Sequence, residues 1–68
     1  MTNTTLLREK INESGYKLRF IAKQLGISYQ CLMQKVNNDT EFKASEICKL
    51  CSFLNIDISQ KEEIFFNN

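Results

Sequence analysis

Apolar side chains recur at spacings of three and four residues along most of this 68-residue chain. Between Tyr16 and Asn38 the periodicity breaks once, at Gly26, and then resumes, as two helices joined by a tight turn require. Ser28 follows the break and is suited to cap the second of these helices. The apolar positions are Leu18, Ile21, Ala22 and Leu25 before the break, and Leu32 and Val36 after it. They predict helices from about Lys17 to Leu25 and from Ser28 to about Val36.

The same periodicity predicts three further helices. The first is capped by Thr4 or Thr5 and ends near Ser14, with Gly15 in a left-handed conformation after it. Another runs from about Ala44 to Leu54 and ends at Asn55. Ser59 and Glu62 form a capping-box pattern for a short last helix that ends in Ile64, Phe65 and Phe66. We therefore expect one all-α domain over residues 1–68, a compact bundle of five short helices with no sheet.

Several apolar residues outside the main stripes are expected to hold these helices together. Tyr16 packs as a staple on the second helix, and the small Ala22 lets the second and third helices approach closely. Ile27 fills the inside of the turn, while Ile56 and Ile58 tether the last connection. Two interpretations stay open for Phe65 and Phe66, which either close the core or help to form a dimer interface.

Length and composition exclude several classes of protein. A chain of 68 residues has no room for a second core, and its size argues against an enzyme cleft. The amino-terminal segment lacks the apolar stretch of a secretory signal, so we expect a cytoplasmic protein with no membrane partner. Cys48 and Cys51 form a CxxC pair and Cys31 is a third thiol, but the chain has no His to complete a zinc site. We expect the cysteines to be small apolar core residues, and we expect no metal or cofactor.

Charge is distributed unevenly, although the formal net charge is only +1. Residues 1–13 balance to zero, residues 14–38 carry four cations and no carboxylate, and residues 39–68 carry three cations and six carboxylates. The positive excess therefore lies in the predicted helix, turn and helix. A DNA-facing half and a DNA-averted half would produce this distribution, since phosphate neutralisation supplies most non-specific DNA affinity. The alternative is a chance cluster of solvated lysines.

Taken together, these residues resemble the phage Cro and lambda-repressor-like helix-turn-helix domains of the Xre family. The resemblance covers nearly the whole chain. It implies a lambda-repressor-like fold whose helices 2 and 3 form the helix-turn-helix, with helix 3 in the major groove of an operator. It also implies a homodimer as one alternative, because repressors of this class commonly bind paired half-sites. The matching residues are Gly15, Ile21-Ala22, Leu25-Gly26-Ile27-Ser28, Leu32, the loop asparagines, Ile47, Leu50, Cys51 and Leu54-Asn55-Ile56.

Three positions depart from the family pattern. The second helix of the family commonly opens with Thr and Gln, where this chain has Lys17 and Leu18. Leu18 cannot donate the usual hydrogen bond, so Lys17 or Arg19 is expected to supply the phosphate contact instead. Val36 stands where the family often has Glu, and Phe42 stands where it often has Pro. Both are expected to be adjustments of the core.

A helical wheel of about 100° per residue separates the two faces of the third helix. Leu32 and Val36 point inward, whereas Gln30 and Gln34 point outward and are the first candidates for base contacts. Tyr29 is either a further base contact or a partly buried packing residue. Met33 either meets a thymine methyl group or, as we favour, fills the edge of the core. Phosphate contacts are expected from the basic and amide side chains Lys17, Arg19, Lys35, Asn37, Asn38 and Lys43.

The sequence thus predicts a sequence-specific, DNA-binding transcriptional regulator that resembles the small Cro-like repressors of phages and mobile elements. A second interpretation belongs to another class of protein. In such genetic switches a small helix-turn-helix protein can act as an antirepressor or modulator by binding its opposing repressor. In that case the exposed third helix would meet protein instead of DNA.

Overall fold

Five α-helices account for most of residues 2–66, the part of the chain that this computed structural model describes. The all-α, five-helix prediction is confirmed, and no strand occurs within those residues. No helix in that range is both long enough and apolar enough to cross a membrane. In chain order the helices are α1 (Thr4–Ser14), α2 (Leu18–Leu25), α3 (Tyr29–Val36), α4 (Ala44–Phe53) and α5 (Ile58–Phe65).

Left-handed residues end four of these helices or lie close to their ends. Gly15 follows α1 with φ 76° and Gly26 follows α2 with φ 74°, as the sequence predicts. Asn55 takes φ 59° just after α4, which confirms the end expected there. Asn38 also has a positive φ, of 67°, in the loop after α3. Asparagine and glycine tolerate this conformation better than other residues do, so local composition predicts these helix ends well.

Two helix beginnings differ from the predicted ones. The α1 cap is Asn3, whose Oδ1 accepts a hydrogen bond from the Leu6 N–H at 3.2 Å, so the prediction of Thr4 or Thr5 is wrong. The α5 cap is Asp57, and its Oδ1 accepts from the Gln60 N–H at 2.8 Å. The prediction of a capping box formed by Ser59 and Glu62 is therefore also wrong. At α1, Asn is a stronger capping residue than Thr and lies one or two positions earlier. At α5, Asp and Ser cap about equally well, and the box that forms pairs Asp57 with Gln60.

The early start of α5 changes the position of Ile58. As the first residue of the helix it is 78% exposed, so the prediction that Ile58 tethers the connection is wrong. Ile56, two residues earlier, is buried as expected. The two phenylalanines at the end of α5 have different environments. Phe65 is buried edge-to-face against Phe42, with ring centroids 5.5 Å apart, whereas Phe66 is 56% exposed.

Every helix contributes a fully buried side chain to one core, which explains how such short helices are held. Ala22, at 2% exposed, is buried as its size predicts. Phe42 and Val36 are buried in the core, as expected for both. The fully buried side chains are Leu7 of α1, Ile21 of α2, Leu32 and Val36 of α3, Leu50 of α4 and Ile64 of α5.

Hydrogen bonds fix the amino-terminal segment to two distant parts of the chain. The Asn38 side chain accepts from the Thr2 N–H at 3.1 Å and donates from Nδ2 to the Thr2 carbonyl at 2.7 Å. The Asn3 N–H donates to the Ile64 carbonyl at 2.6 Å. The start of the chain thus joins the α3–α4 loop to the end of α5.

A buried ion pair joins α3 to α4. Lys35 Nζ lies 3.1 Å from Glu46 Oε1, and it donates to the Glu41 carbonyl at 2.9 Å. The same Glu46 oxygen accepts from the Lys43 N–H at 2.8 Å. Lys35 is only 6% exposed, so the prediction that it presents a charge to DNA phosphate is wrong. On the helical wheel it lies about 60° from Leu32, which is close enough to the apolar stripe to be drawn into the core.

The pKa of Glu46 reflects its place in the buried pair with Lys35. Burial alone raises the pKa of the carboxyl group, but the Lys43 N–H and the Lys35 ammonium outweigh burial and lower it below 4.5. A carboxyl whose pKa is lower in the folded than in the unfolded chain stabilises the fold above its unfolded pKa. The contribution of Glu46 is therefore complete at neutral pH and is lost as the pH falls through the lowered folded pKa.

We predict that Lys35→Met lowers the free energy of unfolding by about 3 kcal/mol, because it leaves the Glu46 carboxylate buried without its cation. The double variant Lys35→Met/Glu46→Leu should be more stable than that single variant, because neither charge is then buried alone. Urea unfolding followed by circular dichroism measures both effects. Lys49→Met, on the exposed side of α4, is the matched control. Equal stabilities for Lys35→Met and Lys49→Met would contradict the buried pair.

Candidate nucleic-acid interface

The orientation of α3 is fixed at its start and along its inner face. The Ser28 side chain accepts a hydrogen bond from the Cys31 N–H at 3.0 Å, which confirms the predicted cap. Leu32 and Val36 are fully buried. Gln30 and Gln34 are both exposed and lie on the side away from the core, where the wheel places them. The helix therefore presents two amide side chains one turn apart.

Three residues connect α2 to α3. Gly26 supplies the left-handed conformation, and the Ile27 N–H donates to the Ala22 carbonyl at 3.0 Å. Ile27 itself is half-buried against the core, as expected for a residue that fills the turn. Because Ala22 is small and buried, α2 and α3 pack closely on either side of this turn. Sequence and structure thus agree on a helix, a three-residue turn and a helix.

Tyr29 forms the edge of the exposed face. Its ring is 37% exposed, and the Arg19 guanidinium lies over it at 4.3 Å from the ring centroid. A cation–π contact of this kind holds both side chains in place where α2 and α3 begin. Met33 is half-buried, consistent with the edge of the core that we favoured for it. Leu18 is also half-buried, and it packs against the core instead of facing solvent.

The basic side chains differ in their availability. Of the four cations in residues 14–38, Lys17, Arg19 and Lys23 are exposed, whereas Lys35 is neutralised by Glu46. Lys17 precedes α2 as its N-cap, and its side chain accepts no capping hydrogen bond from the first turn. Lys43 is exposed at the start of α4. The positive half of the chain therefore offers three exposed charges where the sequence suggests four.

The two asparagines after α3 have different roles. Asn37 is exposed, and its Oδ1 accepts a hydrogen bond from the Arg8 guanidinium. Both Oδ1 and Nδ2 of Asn38 are hydrogen-bonded to Thr2, so the side chain is not available to a phosphate. The prediction that Asn38 contacts phosphate is therefore withdrawn. Arg8 was missed by sequence reasoning. It lies 29 residues from Asn37 along the chain, and no local pattern signals that the two meet.

The cysteines fulfil the core prediction only in part. Cys51 is buried, and burial raises the pKa of its thiol. Cys31 is half-buried, but Cys48 is exposed, so the prediction of a core position is wrong for Cys48. Across residues 2–66, no group of three or more His, Cys, Asp or Glu side chains is placed to hold a metal ion.

Fold and surface together define a small all-α domain in which a capped helix, packed across a three-residue turn, presents amide side chains beside basic ones. The chain matches the family described as "Protein of unknown function (DUF739)" over residues 4–68, and it belongs to that family. Comparisons with curated proteins and with solved structures gave no match. The family description states no function.

We predict that Ser28→Ala lowers the free energy of unfolding by about 1 kcal/mol, because the first turn of α3 loses its side-chain acceptor. Ser45→Ala is the matched control, since Ser45 lies exposed within the first turn of α4 and is not its cap. Thermal unfolding of the two variants and the wild type checks this. A Ser28→Ala variant as stable as Ser45→Ala would show that the cap does not hold α3.

Proposed function

We propose that this protein is a sequence-specific DNA-binding transcriptional regulator, a Cro-like repressor of a phage or mobile element that acts in the cytoplasm. In this proposal α3 enters the major groove of the operator, and no catalytic step or cofactor is involved. The observation that carries the proposal is the outward placement of Gln30 and Gln34 on a helix anchored by buried Leu32 and Val36.

Gln30 and Gln34 are the proposed base contacts. In a bidentate pair with adenine, the glutamine amide N–H donates to N7 and the amide oxygen accepts from the N6 amino group. Both bonds require that the side chain reach the floor of the groove with its amide free. Four residues of helix advance about 6 Å along the axis, nearly two base-pair steps of about 3.4 Å. The two amides can therefore contact neighbouring base pairs. Tyr29 and Met33 are proposed to add apolar or hydroxyl contacts at the edge of the same surface.

Phosphate contacts are proposed for side chains around this helix. Lys17 and Arg19 lie at the start of α2, whose first N–H groups have no capping side chain and are suited to an anion. On the opposite side, Arg8 and Asn37 form a hydrogen-bonded pair at the end of α3. Lys43 extends the basic surface to the start of α4. These contacts position the protein without selecting a sequence.

A homodimer is part of the proposal as well. One domain with two or three base contacts selects few base pairs, and two copies on half-sites about 34 to 36 Å apart would double that number. The surface through which two copies could meet is considered in the next subsection.

We predict that Gln34→Ala weakens binding to the preferred duplex by about 1 to 3 kcal/mol and relaxes selection at one base pair. Gln24→Ala, an equal change on the exposed side of α2, should leave binding unchanged. Lys17→Ala should instead weaken binding to all sequences alike and reduce the salt slope by about one, because it removes a phosphate contact.

The preferred duplex is first selected from a randomised library, and fluorescence anisotropy over a range of salt concentrations then compares the variants. Lys49→Ala is the matched control for Lys17→Ala, since Lys49 is exposed in the middle of α4. Failure of the library to yield a preferred sequence would overturn the proposal. Equal affinities for Gln34→Ala and Gln24→Ala would show that the contact face of α3 is misassigned.

The second candidate function is an antirepressor or modulator that binds a partner repressor protein. The half-buried Met33 and the exposed ring of Tyr29 favour it, because they give α3 apolar surface that a protein can cover. Residues 14–38 offer three exposed cations where the sequence suggests four. This smaller number also favours the antirepressor or modulator, because fewer DNA phosphates can be neutralised.

An electrophoretic shift assay separates the two functions. It uses the intergenic DNA beside the gene, with and without the repressor encoded next to it. A DNA-binding regulator shifts this DNA by itself. A modulator does not, but it abolishes the shift caused by the neighbouring repressor. In the second case Gln34→Ala should restore the repressor's shift while Gln24→Ala should not.

A further inference from the structure

Five large apolar side chains remain exposed within residues 2–66. Tyr29 is covered on one side by Arg19 and belongs to the face described above. The other four divide into two groups: Tyr16 and Phe20 at α2, each 43% exposed, and Ile58 and Phe66 at α5, which are 78% and 56% exposed. Neither group has a role in the core or in the proposed DNA interface, so each requires its own explanation.

Tyr16 and Phe20 are joined by Phe53 of α4 in a cluster that we call the aromatic surface. The ring centroids of Tyr16 and Phe53 are 4.5 Å apart and nearly stacked. Phe20 lies 5.4 Å from Tyr16 and 5.8 Å from Phe53. Phe53 is half-buried and rests on the core, so the cluster has a rigid base and an exposed outer side. The predicted staple contact of Tyr16 with α2 is thus made through Phe20 and extends to α4.

Lysines surround the aromatic surface. Lys17 and Lys23 lie three residues before and after Phe20, and Lys49 lies four residues before Phe53, so each neighbours a ring on its helix. All three are exposed. An apolar centre with a charged rim is the usual anatomy of a protein interface. Pairing this surface with itself would bring six lysines together, so the complementary surface must be acidic.

The chain carries such a surface on α5. Ile58, Glu62 and Phe66 follow one another at four-residue spacing and form what we call the α5 ridge. All three are exposed, as are Asp57 and Glu63 beside them. Lys61 is the one cation of this helix; it is half-buried and close to the Cys51 thiol. The α5 ridge is therefore apolar and acidic where the aromatic surface is apolar and basic.

We propose that the α5 ridge of one copy docks on the aromatic surface of a second copy of this chain. Ile58 and Phe66 cover the rings, and the carboxylates meet the lysine rim. The contact joins two unlike surfaces, so it is head-to-tail and leaves one free surface at each end of a pair. It involves no DNA, and its failure would leave the proposed DNA contacts of a single copy standing.

Sedimentation velocity from about 10 µM to about 1 mM, without DNA, tests this contact. The wild type should associate with rising concentration. Phe20→Ser and the double variant Ile58→Ser/Phe66→Ser should each associate at least tenfold more weakly. Because these side chains are exposed, both variants should remain folded by circular dichroism. A wild type that stays monomeric at about 1 mM overturns the proposal.

Mixing the two variants gives the sharper result. Phe20→Ser keeps an intact α5 ridge, and Ile58→Ser/Phe66→Ser keeps an intact aromatic surface, so an equimolar mixture should form a one-to-one dimer and nothing larger. If either variant still associates alone as strongly as the wild type, one surface pairs with itself and the proposal is wrong. A mixture of the two variants that stays monomeric, while the wild type associates, would also contradict the proposed docking.

Charge reversal supplies an independent measurement. Glu62→Lys should weaken association at least tenfold at low salt, because it places a cation against the lysine rim. Glu9→Lys makes the same change in net charge on the exposed side of α1 and should leave association unchanged. Equal effects of the two variants would show that net charge, and not docking of α5, controls association.

Discussion

The surface presented by α3 depends on the burial of Leu32 and Val36. An eight-residue helix is too short to persist alone in water, where isolated helices need about 12 to 15 residues. Tertiary packing must therefore hold it. With two fully buried residues on one face and a serine cap at its start, α3 has one orientation, and the direction of Gln30 and Gln34 follows from it.

The Lys35–Glu46 pair adds a second constraint on the same helix. It connects the last turn of α3 to the first turn of α4, and Phe42 lies nearby with its ring centroid 5.9 Å from Lys35 Nζ. A hydrophobic contact tolerates sliding, whereas a buried ion pair with two further hydrogen bonds does not. The pair thus fixes the end of α3 relative to the loop that carries Lys43. Its effect on the proposed interface is positional, since it contributes no charge to the surface.

Most local determinants are predicted correctly from the sequence, although the caps of α1 and α5 are also local and are predicted one or two positions too late. Gly26, Ser28 and the stripe through Leu32 and Val36 are set by neighbours within four residues, and each is where the pattern predicts it. The failures that affect the candidate site have long-range partners. Nothing near Asn38 in sequence indicates that its amide is used by Thr2, 36 residues away. Lys35 lies between the local and the long-range cases. The helical wheel gives the direction of its side chain, but nothing near it in sequence indicates that Glu46 pairs with it.

These long-range partners also change how the charge pattern is interpreted. A count of charges along the chain treats every lysine as exposed, yet one of the four cations in residues 14–38 is neutralised. Arg8, from a segment with no net charge, joins the end of α3 instead. The basic face therefore depends on tertiary structure as much as on sequence. That the face carries positive charge is easier to predict from the sequence than which residues supply the charge.

The two proposed surfaces both use α2 and overlap at Lys17, which is a proposed phosphate contact and also part of the lysine rim. Successive residues of a helix point about 100° apart, so Arg19 turns toward Tyr29 and α3 while Phe20 turns toward Phe53 and α4. A copy docked through α5 would cover Phe20 and leave Arg19 free. A head-to-tail contact relates each copy to the next by one repeated rotation and translation, without a two-fold axis. If that rotation let neighbouring α3 helices reach one duplex, they would meet it in the same direction. The operator that suits such an arrangement is a direct repeat, whereas a two-fold dimer requires an inverted one.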